Sequence, residues 1–168
     1  MHLNDLLDGI DYTVKNNANT DNIKIDWIYC DSRKVTADSL FVCIVGAMSD
    51  GHNYAASAYR FGCRVFVVER YVDELPEDAI QIKTEDTRIA LAKISDIFFG
   101  HPSRNLKIIG ITGTKGKTTT ALLTYQAINA SGTNCAYIGT SGIMYNGVCE
   151  PSLNTSTFTP PSTIFLMR

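Results

Sequence analysis

"LKIIGITGTKGKTTTALLTYQAINASG" (106–132) decides how this chain is read. Residues 106–112 are mostly apolar and β-forming, so they predict a strand. Gly113 and Gly116 then break the pattern. From Lys117 onward Ala121, Leu122, Tyr125 and Ile128 recur at helical spacing, and Gly132 supplies the stop. A strand, a glycine turn and a helix gather several backbone N–H groups around one point, and the helix N-terminus adds partial positive charge there. Phosphate oxygens fit such a point. Lys117 can reach the β and γ phosphates of a nucleotide, and the hydroxyl of Thr118 can ligate Mg²⁺. The strict phosphate-loop pattern needs glycine five residues before Gly116, where Ile111 stands. The motif here is the tighter Gly113-Thr114-Lys115-Gly116-Lys117-Thr118-Thr119. The plainer reading is a corner whose glycines merely permit positive φ. The preceding strand, the following helix and the Gly-Lys-Thr ending favour the nucleotide reading.

Outward from the loop, "NCAYIGT" (134–140) is a second strand, which completes a βαβ unit of the kind that winds parallel sheets. Asn146-Gly147 in "MYNGVC" (144–149) predicts a two-residue hairpin. "PPSTIFLMR" (160–168) reads as the opening of a helix. Two strands and one helix cannot cover their own apolar surface, so residues 105–168 are expected to open a larger parallel-sheet domain. Upstream, "HPSRNLK" (101–107) is the candidate linker. Before it, "IKIDWIYCDSR" (23–33), "SLFVCIVG" (39–46), "CRVFVVER" (63–70) and "AIQIKTED" (79–86) predict strands. "GHNYAASAYRFG" (51–62) predicts a helix with Tyr54, Ala55, Ala58 and Phe61 on one side. "TRIALAKISDIFFG" (87–100) predicts another, with Ile89, Leu91, Ile94, Ile97 and Phe98 inward. The fold class is therefore α/β, with a small mixed-sheet domain over 1–104 and the start of a nucleotide-binding domain over 105–168.

Composition narrows the function. The 168 residues are 45% hydrophobic and 19% charged, the balance of a globular protein. A net charge of −2 favours neither nucleic acid nor an anionic membrane. No run approaches the roughly 20 apolar residues of a membrane span. "MHLNDLLDGIDY" (1–12) lacks the basic start and apolar stretch of a signal peptide. The five cysteines are odd in number and show no CxxC spacing, and Cys43 and Cys135 lie in apolar runs. A reduced, cytoplasmic setting is expected.

The loop at 113–119 resembles the Gly-Thr-x-Gly-Lys-Thr-Thr phosphate loop of the Mur ligases, which join amino acids to a UDP-muramoyl peptide in cell-wall synthesis at the expense of ATP. "DSRKVTADSLFVCIVGAMSDGHNYAASAYRFGCRVFVVE" (31–69) resembles the N-terminal UDP-binding domain of the members that add the third amino acid or the D-Ala-D-Ala dipeptide. The shared features are Asp-Ser-Arg, a Leu-Phe-Val strand, Gly, Asp-Gly-His, and a second apolar strand. "FFGHPSRNLKIIGITGTKGKTTT" (98–120) is similar to the family's domain junction, so the likeness runs over essentially the whole chain. Thr114 and "YIGTSG" (137–142) resemble the third-amino-acid ligases rather than the dipeptide-adding ones.

The resemblance implies roles. Ser32 would contact the UDP-sugar with Cys30 beside it, and Ala47, Met48 and Ser49 would lie near the uridine. Gly113, Thr114, Lys115, Gly116, Lys117, Thr118 and Thr119 would wrap the ATP phosphates, with Mg²⁺ on Thr118. The family's Thr-Thr-Pro or Asn-Thr-Thr segment touches the muramoyl part. Thr157-Phe158-Thr159-Pro160 matches the first form and Asn154-Thr155-Ser156 the second, and both alignments stay open. Asp31-Ser32 also reads as a side-chain-bonded turn, Asp50 as the cap of a helix entrance with His52 beside it, and Met48 as loop packing.

The implied reaction phosphorylates the terminal carboxylate of UDP-N-acetylmuramoyl-dipeptide, and an incoming amine then attacks the acyl phosphate. The family's metal-binding Glu, its His, its carbamylated Lys and its amino-acid-holding domain have no match here, so this chain alone is not expected to ligate. Lysine and diaminopimelate both remain open as the added residue. Three other readings stand beside this one. They are the dipeptide-adding Mur ligase, a non-catalytic UDP-sugar or nucleotide-binding module, and another phosphate-loop enzyme such as a folylpolyglutamate-type ligase or a kinase. The Asp-Ser-Arg and Asp-Gly-His stretches argue against the last.

Overall fold

A computed structural model describes residues 1–46, 49–150 and 162–167. The chain forms two compact units, Met1–His101 and Pro102–Arg168, so the break falls inside the 101–107 stretch.

In the first unit the elements are α1 (Leu3–Leu6), β1 (Thr13–Val14), β2 (Trp27–Tyr29), β3 (Ser39–Val42), α2 (Ala55–Arg60), β4 (Val65–Val68), β5 (Ile80–Lys83) and α3 (Thr87–Phe98). The sheet order is β1-β5-β4-β3-β2. Strands β2 to β5 are mutually parallel, and β1 runs antiparallel on the β5 edge. Parallel strands laid side by side in chain order, joined by right-handed crossovers, put every connection on the same face. The packing agrees. Val35, Ala55, Ala58, Val72, Leu75 and Ala79, all from connections, pack with Phe41, Cys43, Phe66 and Val68. The alternate strand residues Leu40, Val42, Val65, Val67 and Ile82 face the other way, onto α1 and α3 through Leu3, Leu6, Ala90 and Ile94. Both faces are covered, which is why β3 and β4 read as continuous apolar runs rather than alternating ones.

Two helix faces differ from expectation. Tyr54 and Phe61 flank the six-residue α2 and are 48% and 60% exposed; Ala55 and Ala58 are its buried residues, with Tyr59 packed half-buried beside them. Ile89 on α3 is 58% exposed, and the helix buries Thr87, Ala90 and Ile94. The first turn of α3 is fixed by Asp86, which accepts from the Arg88 and Ile89 N–H groups and so sets which residues turn inward. Gly100 and His101 end the unit in the left-handed region, with His101 N–H donating to Asp96 O at 2.7 Å.

In the second unit a 3-10 turn (Pro102–Asn105) precedes β6 (Lys107–Thr112), α4 (Lys117–Ala130), β7 (Cys135–Gly139), β8 (Gly142–Tyr145), β9 (Val148–Glu150) and β10 (Ser162–Met167). The sheet order is β6-β10-β7-β8-β9. The expected βαβ unit is present, since β6 and β7 are both antiparallel to β10 and therefore parallel to each other. They are not neighbours, because β10 lies between them. The tail at 160–168 was expected to open a helix; Ser162–Met167 is instead a strand in register with Thr112–Lys107 and, from Ile164, with Ile138–Cys135. The β-branched and aromatic run Thr163-Ile164-Phe165 suits a strand, and it satisfies two otherwise unpaired ladders. The hairpin prediction holds, with Asn146 and Gly147 at φ 48° and 76° between β8 and β9. On one face of the sheet α4 packs Ala121, Leu122, Tyr125 and Ile128 against Cys135, Tyr137, Ile109 and Ile111.

Candidate functional site

Strand β6 runs into the glycine loop, and α4 starts at Lys117. Gly113 has φ 153° and Gly116, the N-cap of α4, has φ 77°. Gly116, as the N-cap, brings no side chain with which to cap this helix end. A helix of 14 residues leaves the N–H groups of its first turn without intrahelical partners. Its first turn holds no acidic residue to oppose an anion. Lys117 and Thr118 are half-buried, while residues 113–116 and Thr119 are exposed. The Lys117 Nζ lies across the loop and donates to Gly113 O at 2.6 Å, so its charge is held over the concave backbone. Thr118 Oγ1 lies 3.5 Å from the Oγ1 of Thr140, which follows β7. Thr140 was not singled out in sequence; only the parallel course of β6 and β7 brings the two hydroxyls to the same end of the sheet. These features fit a bound triphosphate: free donors, a fixed cation and a hydroxyl suited to a hard cation such as Mg²⁺. Among the described residues no cluster of three His, Cys, Asp or Glu side chains stands ready for a metal ion.

In the first unit Cys30 and Ser32 follow β2, and Ser49 lies in the connection after β3. These strands are parallel neighbours, with Tyr29 opposite Phe41, so both segments leave the carboxyl edge of the sheet side by side. That edge is where ligands meet open parallel sheets. Ala47, Met48, Asn154, Thr155, Ser156, Thr157 and Thr159 lie outside the described residues. The turn reading of Asp31-Ser32-Arg33 is correct as geometry. Asp31 accepts from Arg33 N–H at 3.1 Å and Nε at 2.9 Å through one oxygen and from Arg33 NH2 at 2.8 Å through the other. The Arg33 side-chain hydrogen bonds hold the Asp31 carboxyl down at about 2. Ser32 is 9% exposed, and its hydroxyl bonds to no other described residue. Desolvation raises the Cys30 thiol although the residue as a whole is exposed, so it is a neutral group and not a nucleophile at pH 7.

The Asp-Gly-His stretch is an anchor. Asp50 caps a 3-10 turn (Gly51–Tyr54) by accepting from His52 N–H at 2.9 Å. Its Oδ1 also meets His52 Nδ1 at 2.6 Å, and its Oδ2 accepts from Arg70 NH2. His52 is 4% exposed, and its Nε2 accepts from the Glu69 N–H at 3.0 Å, which fixes the neutral tautomer with the proton on Nδ1. Burial pushes the Asp50 carboxyl up, but the hydrogen bonds from Arg70 and His52 outweigh it and hold it at about 2.

Known proteins resemble the chain over both units. The profile described as "Mur ligase family, catalytic domain" matches residues 24–99, all inside the first unit. The UDP-N-acetylmuramoyl-L-alanyl-D-glutamate–2,6-diaminopimelate ligase of Clostridium botulinum is 38% identical over 165 residues, 96% of this chain and 33% of the relative. The enzyme of the same name from Clostridioides difficile is 38% identical over 162 residues, 96% of this chain and 32% of the relative. The chain is similar to Mur ligases over almost its whole length. It spans about a third of the length of these curated relatives. Among solved structures, the UDP-N-acetylmuramoylalanyl-D-glutamyl-2,6-diaminopimelate–D-alanyl-D-alanyl ligase of Acinetobacter baumannii is similar at 28% identity and a TM-score of 0.56, over 76% of this chain and 27% of that one. The Mur profile stops before the glycine loop, but the curated matches cover 96% of the chain and so take in both units.

Proposed function

We propose that this chain is the UDP-substrate-binding and phosphate-loop part of an ATP-dependent Mur ligase that adds 2,6-diaminopimelate to UDP-N-acetylmuramoyl-L-alanyl-D-glutamate. The observation that carries the reading is the loop of residues 113–119, closed by Lys117 Nζ on Gly113 O at 2.6 Å, at the uncapped start of α4. The identity of the curated relatives supports the substrate and the amino acid. ATP supplies the phosphoryl group that activates the terminal carboxylate of the UDP-linked dipeptide. The backbone of residues 113–119 orients the phosphates, Lys117 places a cation on their β and γ oxygens, and Thr118 offers its hydroxyl to Mg²⁺. In the first unit Ser32 and Ser49 hold the UDP-sugar, with Cys30 as a neutral neighbour. Ala47, Met48 and the segment containing Asn154, Thr155, Ser156, Thr157 and Thr159 are proposed to complete the substrate contacts. The setting proposed is cytoplasmic, where the UDP-linked precursor and ATP meet. Among the described residues no helix is long and apolar enough to cross a membrane.

Calorimetry on the chain tests this. Wild type is expected to bind ATP with Mg²⁺ and, separately, the UDP-linked dipeptide. Lys117→Ala removes the one loop cation aimed at the phosphates and is expected to weaken ATP binding by at least tenfold while leaving the UDP-linked ligand unchanged, since a hydrogen bond to a charged group is worth about 1.5–3 kcal/mol. Equal ATP affinity for both proteins defeats the assignment of the loop.

A further inference from the structure

The Asp-Gly-His anchor is more than a helix entrance. The connection between β3 and α2 turns back on itself. Gly46 N–H donates to Ser49 O at 2.8 Å, Gly51 N–H donates to Ile44 O at 2.8 Å, and Val45 bridges Asp50. Both sides of this returning loop are tied to other elements. Arg88, on the first turn of α3, donates to Val45 O at 3.0 Å. Asp50 is held by Arg70 and by His52, and His52 is itself fixed by the Glu69 N–H at the end of β4. Glu69 in turn accepts from the Thr87 N–H at 3.0 Å and hydroxyl at 2.7 Å through Oε1, which joins the same anchor to the start of α3. His52 is the hub. It is almost fully buried, uses both ring nitrogens, and links the loop to a strand 17 residues away.

We infer that His52 is a positioning residue for the UDP-linked substrate. Through Asp50 it sets the backbone of Gly46 and Ser49 at the carboxyl edge of β3, beside the Cys30–Ser32 segment. It touches no substrate itself. The inference rests on the proposed reading of Ser49 as a UDP contact, and it gives the buried histidine a task which capping alone does not require. A cap needs only the Asp50 carboxylate, whereas the bond from Glu69 N–H to Nε2 adds nothing to the helix entrance and fixes where that entrance sits.

The test uses the whole chain and two histidine replacements. His52→Gln places an amide oxygen where Nε2 accepts from Glu69 N–H; His52→Ala supplies neither partner. Calorimetry with UDP-N-acetylmuramoyl-L-alanyl-D-glutamate is expected to show roughly tenfold weaker binding for His52→Ala and recovery of most of that loss in His52→Gln. Affinity for ATP with Mg²⁺, measured on the same samples, should stay within about twofold, since that loop lies in the other unit. Amide NMR shifts of Gly46 and Ser49 should move in His52→Ala while those of residues 113–119 do not. If wild type fails to bind the UDP-linked dipeptide, the functional reading falls and this inference with it. If wild type binds and His52→Ala binds equally well, the functional reading stands and the positioning role is overturned. A matched loss of both ligands, with Gln no better than Ala, also overturns it, because that pattern reports general unfolding.

Discussion

Gly51→Ala is a demanding test of how tightly the loop after β3 is built. A Cβ on Gly51 would lie 2.6 Å from Ile44 N, 2.8 Å from Cys43 C and 2.9 Å from Cys43 Cα. All three atoms are backbone at the end of β3, so no side-chain rotation relieves the clash. Gly51 is not among the glycines at positive φ, so alanine meets no torsional penalty there and the effect is steric alone. Overpacking costs about 1–3 kcal/mol. Pushing the turn away also weakens the Gly51 N–H bond to Ile44 O at 2.8 Å, a loss of about 1 kcal/mol. The stiffer unfolded chain of alanine offsets about 0.4–1 kcal/mol, too little to reverse the sign. The net is a loss of roughly 1–3 kcal/mol. For a unit the size of Met1–His101, each kcal/mol lowers Tm by about 4–8 °C, so a fall on the order of 5–25 °C is expected. Trp27 is the chain's single tryptophan and lies on β2, so its fluorescence follows the first unit by itself. Gly9→Ala is the control. Gly9 has φ 67° and nothing within 4 Å of the added carbon, so it isolates the torsional cost of about 1–2 kcal/mol without a clash. If Gly51→Ala melts within about 2 °C of wild type, the contact yields and the rigid-loop reasoning is wrong.

Two further outcomes are expected. Asp86→Ala removes both acceptor bonds at the start of α3 and should cost about 1 kcal/mol, read as a lower urea midpoint followed by Trp27. Acid should loosen the first unit in a defined window. Asp31 and Asp50 are both held at about 2, below the ordinary aspartate value of 3.8, so the folded state binds their protons less readily than the unfolded one. The stability they contribute is therefore full above pH 4 and is lost as pH falls through the folded value near 2. Asp50→Asn should flatten the fall of the urea midpoint between those limits, and an unchanged slope would rule Asp50 out as a source.

The sequence showed the parts of the fold that are local. Continuous apolar runs gave β3 and β4 because both of their faces are buried, and Asn146-Gly147 gave the hairpin because few other pairs accept two left-handed residues. The strand, glycine turn and helix around residues 113–119 were equally legible, since their pattern lies in consecutive residues. What escaped depends on contacts across the chain. Ser162–Met167 followed two prolines and read as a helix start; its strand state comes from the open ladders of β6 and β7, which lie 50 and 23 or more residues earlier. α1 and β1 are four and two residues long, too short for any periodicity. Asp50 was readable as a cap, but its Arg70 partner is 20 residues away and the His52 acceptor role depends on a backbone N–H of another strand.

The names of the similar proteins also bear on the proposed reading. The curated relatives are named for joining diaminopimelate to UDP-N-acetylmuramoyl-L-alanyl-D-glutamate, whereas the Acinetobacter structure is named for the next addition, onto a UDP-N-acetylmuramoylalanyl-D-glutamyl-diaminopimelate acceptor. Both printed acceptors begin with the same UDP-muramoyl-alanyl-glutamyl part and differ beyond it. The similarity to the Acinetobacter enzyme covers 76% of this chain but only 27% of that one, so the shared scaffold is a minority of a longer protein. A shared scaffold serves what the substrates have in common, and a fold does not by itself choose between the amines. This is the division proposed here. The carboxyl edge of β2 and β3 would hold the common UDP-sugar end, and the loop at the start of α4 would hold ATP. The preference for diaminopimelate over lysine or the dipeptide would then reside outside the two features this chain displays, which is why the amino acid is carried by the 38% identity of its relatives and not by any side chain in Gly113–Thr119.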